Sequence, residues 1–270
     1  MKKIGFVDYY ISEWHADNYP AWIKASAEKL GEDFELAYVW AELDVSPESG
    51  VTTDEWCKNY GAEKCASIAE LCEKSDYIMI LSPSNPEKHL AYAKEVFKFS
   101  KNTYVDKTFA PDLKTAEQIF EVAKEYGTKF FSSSALRFAD EACGVKPMSD
   151  LKITGGGRSL EEYIIHQIEM AVKIQGVGAS SVEVQSKDGV DNIRISYSDF
   201  RSGTLSYSDK KSFSINGDKV KSEFFLNLIG DILKFFITGK TSFDTNETIE
   251  IIKIRDAILN SIKSGKKISL

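Results

Sequence analysis

The sequence predicts an α/β protein with a doubly wound parallel sheet in its first half and a C-terminal α+β domain with an open, largely antiparallel sheet. In the first half, short apolar segments alternate with segments whose apolar residues recur at helical spacing, which is typical of right-handed β-α-β crossovers. In the second half, short strand-like segments follow one another near Asp188-Gly189 and Asn216-Gly217, two dipeptides that favour tight turns. We expect one domain at 1–136 and a second at 137–270.

Strand and helix signals alternate through the first half. Pro20 suits the first turn of a helix that Gly31 ends, although that helix could begin near Ser12 and contain a kink. A later helix can be capped by Asp112 and ended by Gly127. The strands predicted in this half are 3–8, 34–40, 77–81, 103–106 and 129–132. The helices after the first are 53–60, 68–73, 87–100 and 112–126.

The second half has a different pattern. Short β-type segments come first, an apolar helix then runs from Phe224 to Gly239, and a final helix ends before Gly265. The predicted strands are 182–185, 192–197, 203–207 and 212–215, and the final helix is 246–264. The run Gly155-Gly156-Gly157 is interpreted as a flexible turn that lets the chain pass near a substrate, with a phosphate cradle as the alternative.

Composition excludes several classes of protein. The chain has 270 residues, of which 43% are hydrophobic and 28% charged, an ordinary globular balance. Its net charge is -7 and its basic residues are dispersed, which argues against nucleic acid as a partner. No apolar run is long enough to span a membrane. The segment after Met1 is interpreted as a first strand rather than a signal peptide, and we expect a cytoplasmic protein.

Cysteine and histidine spacing gives no sign of a metal site. None of the cysteines forms a C-x-x-C pair, and we interpret them as small core residues in a reducing compartment. The three histidines are too far apart in sequence to indicate a shared ligand set. The cysteines are Cys57, Cys65, Cys72 and Cys143, and the histidines are His15, His89 and His166.

The segment from Tyr104 to Phe109 is the strongest indication of function. A predicted strand ends there at Asp106 and Lys107, shortly after an earlier strand that ends in Ser82-Pro83-Ser84-Asn85-Pro86. Loops at the carboxyl ends of parallel strands are where α/β proteins bind ligands. A lysine held there can bind a hydroxyl or carbonyl oxygen and assist its proton transfer. The sequence therefore favours a small-molecule enzyme or the descendant of one, with a surface lysine as the simpler alternative.

These segments, in this order, resemble the Gfo/Idh/MocA family of NAD(P)-dependent oxidoreductases. Asp106-Lys107-Thr108 resembles the family's Glu-Lys-Pro motif, and Ser82-Pro83-Ser84-Asn85 followed by His89 resembles its Thr-Pro-Asn…His loop. The segment from Glu162 to His166 resembles its Asp-x-Gly-x-His catalytic segment. The resemblance covers the whole chain. It implies a Rossmann-like dinucleotide-binding domain at 1–136 and a substrate and oligomerisation domain at 137–270.

The resemblance also implies a reaction and roles for particular residues. A hydride would pass between NAD or NADP and a carbon of a sugar, polyol or related hydroxyl-bearing molecule. Lys107 would bind the reacting hydroxyl, His166 would exchange its proton, and Glu162 would orient the substrate or the histidine. A homodimer or homotetramer through the C-terminal sheet is expected. The predicted cofactor-binding residues are Asp8, Tyr9, Tyr10, Trp40, Ser82, Pro83, Asn85, His89 and Asp106.

The chain departs from the family at the loop that should bind phosphate. The segment after strand one has no glycine, and Asp8, Tyr9 and Tyr10 add bulk and negative charge where backbone should approach a pyrophosphate. Strand two ends in Trp40-Ala41 instead of the expected acidic residue. These departures leave two alternatives open: a ligand-binding or regulatory protein that has lost the dinucleotide, and an interaction subunit that keeps the fold for oligomerisation.

Overall fold

The computed structural model describes residues 1–270, which form two compact units. The first contains Met1–Ser132 and Leu228–Ser242, and the second contains Ser133–Asn227 and Phe243–Leu270. The grouping of Leu228–Ser242 with the first unit has no counterpart in the sequence-based division at residues 136 and 137. That division into two separately folding domains stays a prediction.

A six-stranded parallel sheet organises the first unit. Its strands are β1 (Lys2–Asp8), β2 (Phe34–Ala41), β3 (Glu63–Lys64), β4 (Tyr77–Ile80), β5 (Thr103–Val105) and β6 (Phe130–Ser132). They lie in the order β3-β2-β1-β4-β5-β6, and every neighbouring pair is parallel. The order reverses between β1 and β4, so a crevice for a ligand is expected outside the carboxyl ends of these two strands. The predicted doubly wound, Rossmann-like sheet is confirmed.

Five helices connect these strands: α1 (Trp14–Leu30), α2 (Thr53–Tyr60), α3 (Ile68–Lys74), α4 (His89–Val96) and α5 (Leu113–Tyr126). Pro20 lies inside α1 rather than in its first turn. The N-cap residue of α1 is Glu13, so the helix begins six residues earlier than it would with Pro20 as its first residue. The predicted helix 87–100 is shorter than expected. It ends as α4 at Val96, and a 3-10 turn closes on Ser100, whose φ of 52° cannot continue a right-handed helix.

The second unit is built on a seven-stranded sheet. Its strands are β7 (Leu151–Gly156), β8 (Ala179–Lys187), β9 (Val190–Tyr197), β10 (Ser202–Ser208), β11 (Ser214–Ile215), β12 (Asp218–Lys219) and β13 (Ile268–Ser269). The order is β12-β11-β7-β10-β9-β8-β13, and all neighbours are antiparallel except β7 and β10. The predicted open, largely antiparallel sheet is confirmed. The remaining helices are α6 (Leu160–Gln175), α7 (Phe224–Thr238) and α8 (Asn246–Ser264).

The glycine run before α6 belongs largely to a strand. A Cβ atom at Gly156 would lie 1.8 Å from the carbonyl oxygen of Ser208, and one at Gly157 would lie 2.2 Å from the ring of Tyr163. Neither glycine has a positive φ, so close packing, and not a turn, explains the residue type. The interpretation of this run as a flexible turn was wrong, and the alternative of a phosphate cradle stays a prediction.

No helix in the structure has both the length and the apolar composition that crossing a membrane would require.

Candidate active site

Asp8 ties together the ends of the two strands at the switch point. It is the last residue of β1, and its Oδ1 atom accepts hydrogen bonds from the backbone N–H of Ser82 at 2.9 Å and of Tyr9 at 2.7 Å. Ser82 follows β4 by two residues and has a φ of 64°, a left-handed conformation that a non-glycine residue adopts at a cost. The second carboxylate oxygen of Asp8 and the hydroxyl of Ser82 are buried without a hydrogen-bond partner.

Glu13 holds the amino end of α1. One carboxylate oxygen accepts from the backbone N–H of Ala16 at 2.6 Å, and the other accepts from that of His15 at 2.8 Å. The side chain is buried, with 7% of the residue exposed. The free N–H groups at a helix start form a natural anion site. In this chain, a carboxylate of the protein itself takes two of them.

His15 connects the first turn of α1 to the end of β5. Its Nδ1 atom is hydrogen-bonded to Oδ2 of Asp106, and its ring stacks on Tyr19 with centroids 5.2 Å apart. Oδ1 of Asp106 accepts from the backbone N–H of Lys107 at 2.8 Å and from the hydroxyl of Tyr104 at 3.1 Å. Asp106 therefore uses both oxygens to hold neighbouring elements in place.

Three buried carboxyl groups, Asp8, Glu13 and Asp106, lie close enough to affect one another's ionisation. Burial and the negative charges of Glu13 and Asp106 raise the pKa of Asp8 well above its usual range. Burial also raises the pKa of Glu13, against the attraction of His15 and the hydrogen bonds from the two amides. Burial acts in the same direction on Asp106, but His15 and Lys107 outweigh it and hold the pKa of Asp106 below its ordinary value. Asp106 is therefore the member of the cluster that most readily stays charged.

Lys107 lies where the sequence placed it, at the carboxyl end of β5. The residue is 8% exposed, and its Nζ atom donates to the carbonyl oxygen of Pro83 at 3.3 Å. The peptide bond between Lys107 and Thr108 is cis. The side chain thus reaches from the end of β5 to the loop after β4, and brings together the two loops that the sequence singled out.

His89 is a buried link between backbone segments. Its Nδ1 atom lies 2.9 Å from the carbonyl oxygen of Phe109, and its Nε2 atom lies 2.6 Å from that of Leu81. Only a doubly protonated ring could donate to both, whereas burial lowers the pKa of His89. We assign the neutral ring, which donates a hydrogen bond to one of these carbonyl oxygens and has no proton to donate to the other. The structure thus gives His89 two backbone neighbours, and its contact with a cofactor stays a prediction.

An acidic residue, Glu42, lies at the end of strand two, near two of the predicted aromatic residues, Trp40 and Tyr9. β2 extends to Ala41, so Glu42 directly follows it, in the place where a dinucleotide-binding fold has its ribose-binding acid. Glu42 accepts from Lys88 at 2.5 Å and from the hydroxyl of Tyr92 at 2.7 Å. Trp40 packs edge-on against Tyr92, the amine of Lys88 lies 4.5 Å from the ring centre of Tyr9, and Asn85 donates to Glu87. Tyr10 is buried, and burial with its hydrogen bond to Glu48 raises its pKa.

The second unit carries the other predicted catalytic residues on α6. His166 and Glu162 are four residues apart on this helix. The Oγ atom of Ser134 lies 2.6 Å from Nδ1 of His166, and the same oxygen accepts from the backbone N–H of Leu136. Glu162 pairs with Arg158 at 2.7 Å. The structure therefore supplies a partner for the histidine that the sequence did not indicate.

A buried ion pair fixes the segment that carries Ser134. Glu169 accepts from the backbone N–H of Ser134 at 2.9 Å, and from Nε of Arg137 at 2.7 Å. Nη1 of Arg137 lies 2.7 Å from a carboxylate oxygen of Glu247, and its guanidinium lies over the ring of Phe243. The sequence signal for this pair was an acidic residue inside the apolar run of α6, a position where a carboxylate needs a partner.

The start of α1 does not fit a pyrophosphate in this arrangement. The G-x-G-x-x-G spacing of a dinucleotide-binding loop, started at Asp8, places Tyr10 and Glu13 on the second and third glycines. The amides of His15 and Ala16 are already bonded to Glu13, and the carboxyl of Asp8 lies at the end of β1. The phosphates of a dinucleotide would therefore lie beside negatively charged side chains. Lys107 and Pro83, on the other side of the switch point, add no negative charge.

Comparison with known protein families finds a match to part of the first unit. Residues 24–134 match the model of the Gfo/Idh/MocA family, described as an oxidoreductase family with an NAD-binding Rossmann fold. The resemblance inferred from sequence motifs is therefore confirmed, and of the two expected cofactors, NAD and NADP, the family description names NAD. No curated protein matches the chain in sequence.

Solved structures share the fold over nearly the whole chain. An oxidoreductase from Agrobacterium radiobacter, in complex with NAD+, L-tartaric acid and magnesium, is 12% identical with a TM-score of 0.78, over 99% of this chain and 98% of that one. A dehydrogenase from Clostridium difficile is 17% identical with a TM-score of 0.73, over 96% and 99%. An NAD-binding protein from Listeria innocua is 13% identical with a TM-score of 0.75, over 99% and 96%. Identities this low show a shared fold alone.

Proposed function

We propose that this chain, whose residues 24–134 match the Gfo/Idh/MocA oxidoreductase family, is an oxidoreductase that depends on NAD or NADP. Its substrate is a sugar, polyol or related small molecule that reacts at a CH–OH carbon. The observation that carries the proposal is the position of Lys107, buried at the end of β5 and hydrogen-bonded to the loop after β4. A lysine held by a rigid strand end beside a switch point suits the binding of a reacting oxygen.

Lys107 is proposed to hold the reacting hydroxyl. Its ammonium group has three donors, and the carbonyl of Pro83 uses one of them, so donors remain for a substrate oxygen. Asp106 holds the backbone N–H of Lys107, and its lowered pKa keeps a negative charge beside the ammonium group. Lys107 would stabilise the oxygen of the reacting hydroxyl as its proton leaves.

His166, in the second unit, is proposed to exchange a substrate proton at Nε2. This role requires Nδ1 to carry a proton, and Ser134 can accept it, since a hydroxyl oxygen has two lone pairs and Leu136 uses only one. The side chain of Ser134 is thus proposed to hold the ring in the tautomer whose proton is on Nδ1. Glu162, four residues earlier on α6, is proposed to orient the substrate or the histidine.

Replacement of Lys107 tests the assignment of function. In a panel of polyols, sugars and hydroxy acids, Lys107→Ala is expected to lower turnover of any substrate found by about 10²-fold or more. Lys114→Ala removes an exposed lysine from α5 of the same unit and is expected to leave turnover unchanged. A Lys107→Ala protein that keeps its fold and its full turnover would remove Lys107 from the mechanism and take away the main support for the proposal.

A second function is favoured by one observation, the Glu13 carboxylate on the amides of α1. A chain whose own carboxylate occupies the phosphate position can have lost the dinucleotide. The same fold can then serve as a ligand-binding or regulatory protein. The two functions differ in cofactor binding, which the second function lacks.

Oligomerisation through the second unit is also proposed. Along its sheet, Glu183, Arg194 and Thr204 stand opposite one another on neighbouring strands β8, β9 and β10, and none of them is buried. An open face of this kind supports a homodimer or homotetramer. Analytical ultracentrifugation tests the proposal, and a monomer at micromolar concentration would contradict it.

A further inference from the structure

Glu13 makes the two hydrogen bonds that a phosphate oxygen pair would make at the start of a helix. Both carboxylate oxygens are used, at 2.8 Å to the amide of His15 and 2.6 Å to that of Ala16. The carboxyl group carries negative charge toward the positive end of the α1 dipole, as a bound phosphate does. The Glu13 carboxylate therefore occupies a position at which the family fold binds a ligand.

Contacts on both sides of Glu13 hold it there. His15 donates its amide to Glu13, while its ring is bonded to Asp106, so the first turn of α1 is anchored at two points. The neighbouring carboxyl of Asp8 is 1% exposed, and one of its oxygens has no hydrogen-bond partner. A pyrophosphate that entered here would face two carboxyl groups of the protein and would find two of the helix amides already in use.

We infer that Glu13 is an internal occupant of the pyrophosphate position, so that a dinucleotide binds tightly only when the Glu13 carboxylate leaves the amides of His15 and Ala16. The inference rests on the proposed function for the class of ligand, a nicotinamide dinucleotide. It assigns to Glu13 the part of the mismatch that arises at the amides of α1. Glu13 then sets the affinity for the cofactor.

Glu13→Ser provides a direct test, because a serine cap preserves the helix start. Ser67 and Ser159 already cap α3 and α6 in this chain through their hydroxyl oxygens. Serine removes the carboxylate and shortens the side chain. Glu13→Gln is the second variant, since it keeps the size and removes the charge. Glu70→Gln is the matched control: Glu70 accepts a backbone amide near the start of α3, a helix that follows the edge strand β3.

The experiment is a calorimetric titration of wild type and variants with NADH, ADP and adenosine. Glu13→Ser is expected to bind NADH and ADP about tenfold tighter than wild type or better, with Glu13→Gln in between. Adenosine, which has no phosphate, is expected to bind equally to all proteins, and Glu70→Gln is expected to match wild type. Circular dichroism and thermal melting establish that each variant is folded, and Glu13→Gln decides the question if the serine variant is not.

The affinity of wild type for NADH tests the proposed function. The ratio of the affinities of the variants to that of wild type tests the inference about Glu13. Wild type that binds NADH, with no gain in either Glu13 variant, overturns the inference and leaves the proposed function in place. Wild type that fails to bind, with folded Glu13 variants that do bind, supports the inference and removes the dinucleotide from the function of the natural chain. Folded Glu13 variants that fail to bind NADH and ADP, like the wild type, overturn both. A gain for adenosine equal to that for ADP also overturns the inference.

Discussion

The ring of His15 is hydrogen-bonded through Nδ1 to Oδ2 of Asp106, which joins the first turn of α1 to the end of β5. Asp106 precedes Lys107 and holds its backbone N–H, so the same carboxylate serves the helix start and the proposed catalytic lysine. The strand order places β4 between β1 and β5. This hydrogen bond therefore links the expected cofactor side of the first unit to its expected substrate side.

Asp106→Asn is expected to destabilise the protein by about 2 kcal/mol, because it weakens buried hydrogen bonds to a charged group. The pKa of Asp106 is lowered in the folded protein, so its contribution is present above pH 4 and is lost as the pH falls below the ordinary aspartate value of 3.8. Urea unfolding at several pH values measures this.

Asp76→Asn provides the control for Asp106, since Asp76 is an exposed aspartate that accepts a single backbone amide from Lys3. Its cost is expected to be about 0.5 kcal/mol. Equal costs for the two variants at neutral pH would contradict the role given to Asp106.

Asp8→Asn is expected to change stability in the opposite direction. The pKa of Asp8 is raised in the folded protein by burial and by Glu13 and Asp106, so the unfolding free energy falls as the pH rises from about 4 toward the folded-state pKa. The amide cannot ionise, and the variant is expected to gain about 1 kcal/mol or more at pH 7, relative to wild type, and to depend less on pH. Thermal melts between pH 4 and 8 test this. A variant that is less stable than wild type at pH 7 would show that the carboxylate is better accommodated than its unpartnered oxygen indicates.

Ser134→Ala is expected to lower kcat by about tenfold with little change in KM, because His166 loses the group that accepts its Nδ1 proton. The pH profile of kcat is also expected to shift, a change that a merely structural serine would not produce. Ser180→Ala removes another hydroxyl of the second unit, one that donates to the carbonyl of Ser196, and serves as the control. An unchanged pH profile in Ser134→Ala would remove this serine from the positioning of His166.

Arg137→Met is expected to destabilise the protein by about 3–5 kcal/mol, since it leaves the Glu169 carboxylate buried without its cation. Burial already raises the pKa of Glu169 against the attraction of Arg137, so loss of the cation raises it further. The double variant Arg137→Met with Glu169→Gln removes both charges and is expected to recover part of the loss. Denaturant unfolding measures each protein, and a double variant no more stable than Arg137→Met would contradict a charge-based cost.

Local patterns were sufficient for the strands of the first unit other than β3, and for Lys107. The β-type segment ending at Asp106 and the earlier one before Ser82 are both apolar and short, so their parallel alignment and adjacent ends followed from the alternation with helices. The strand β7 was missed because three successive glycines indicate a turn when the clash that a Cβ at Gly156 would make with Ser208 is not visible. The helix that follows this strand, α6, was not predicted as an element either.

The contacts that define the candidate site were beyond local patterns. His15 and Asp106 are 91 positions apart, and Ser134 and His166 are 32 apart, so neither pair follows from spacing along an element. Glu13 was overlooked because a carboxylate in a loop is ordinarily solvated, and only the fold shows that it is buried on two amides of α1. The missing glycines did indicate that the phosphate side departs from the family.

Titration of the wild-type chain with NADH and NADPH, followed by nicotinamide fluorescence, tests the central claim most directly. We predict saturable binding of one of the two, with an affinity weakened by Glu13. Absence of binding at millimolar concentrations of either cofactor would contradict the assignment of a nicotinamide-dependent oxidoreductase, and would leave the ligand-binding function as the better description of this chain.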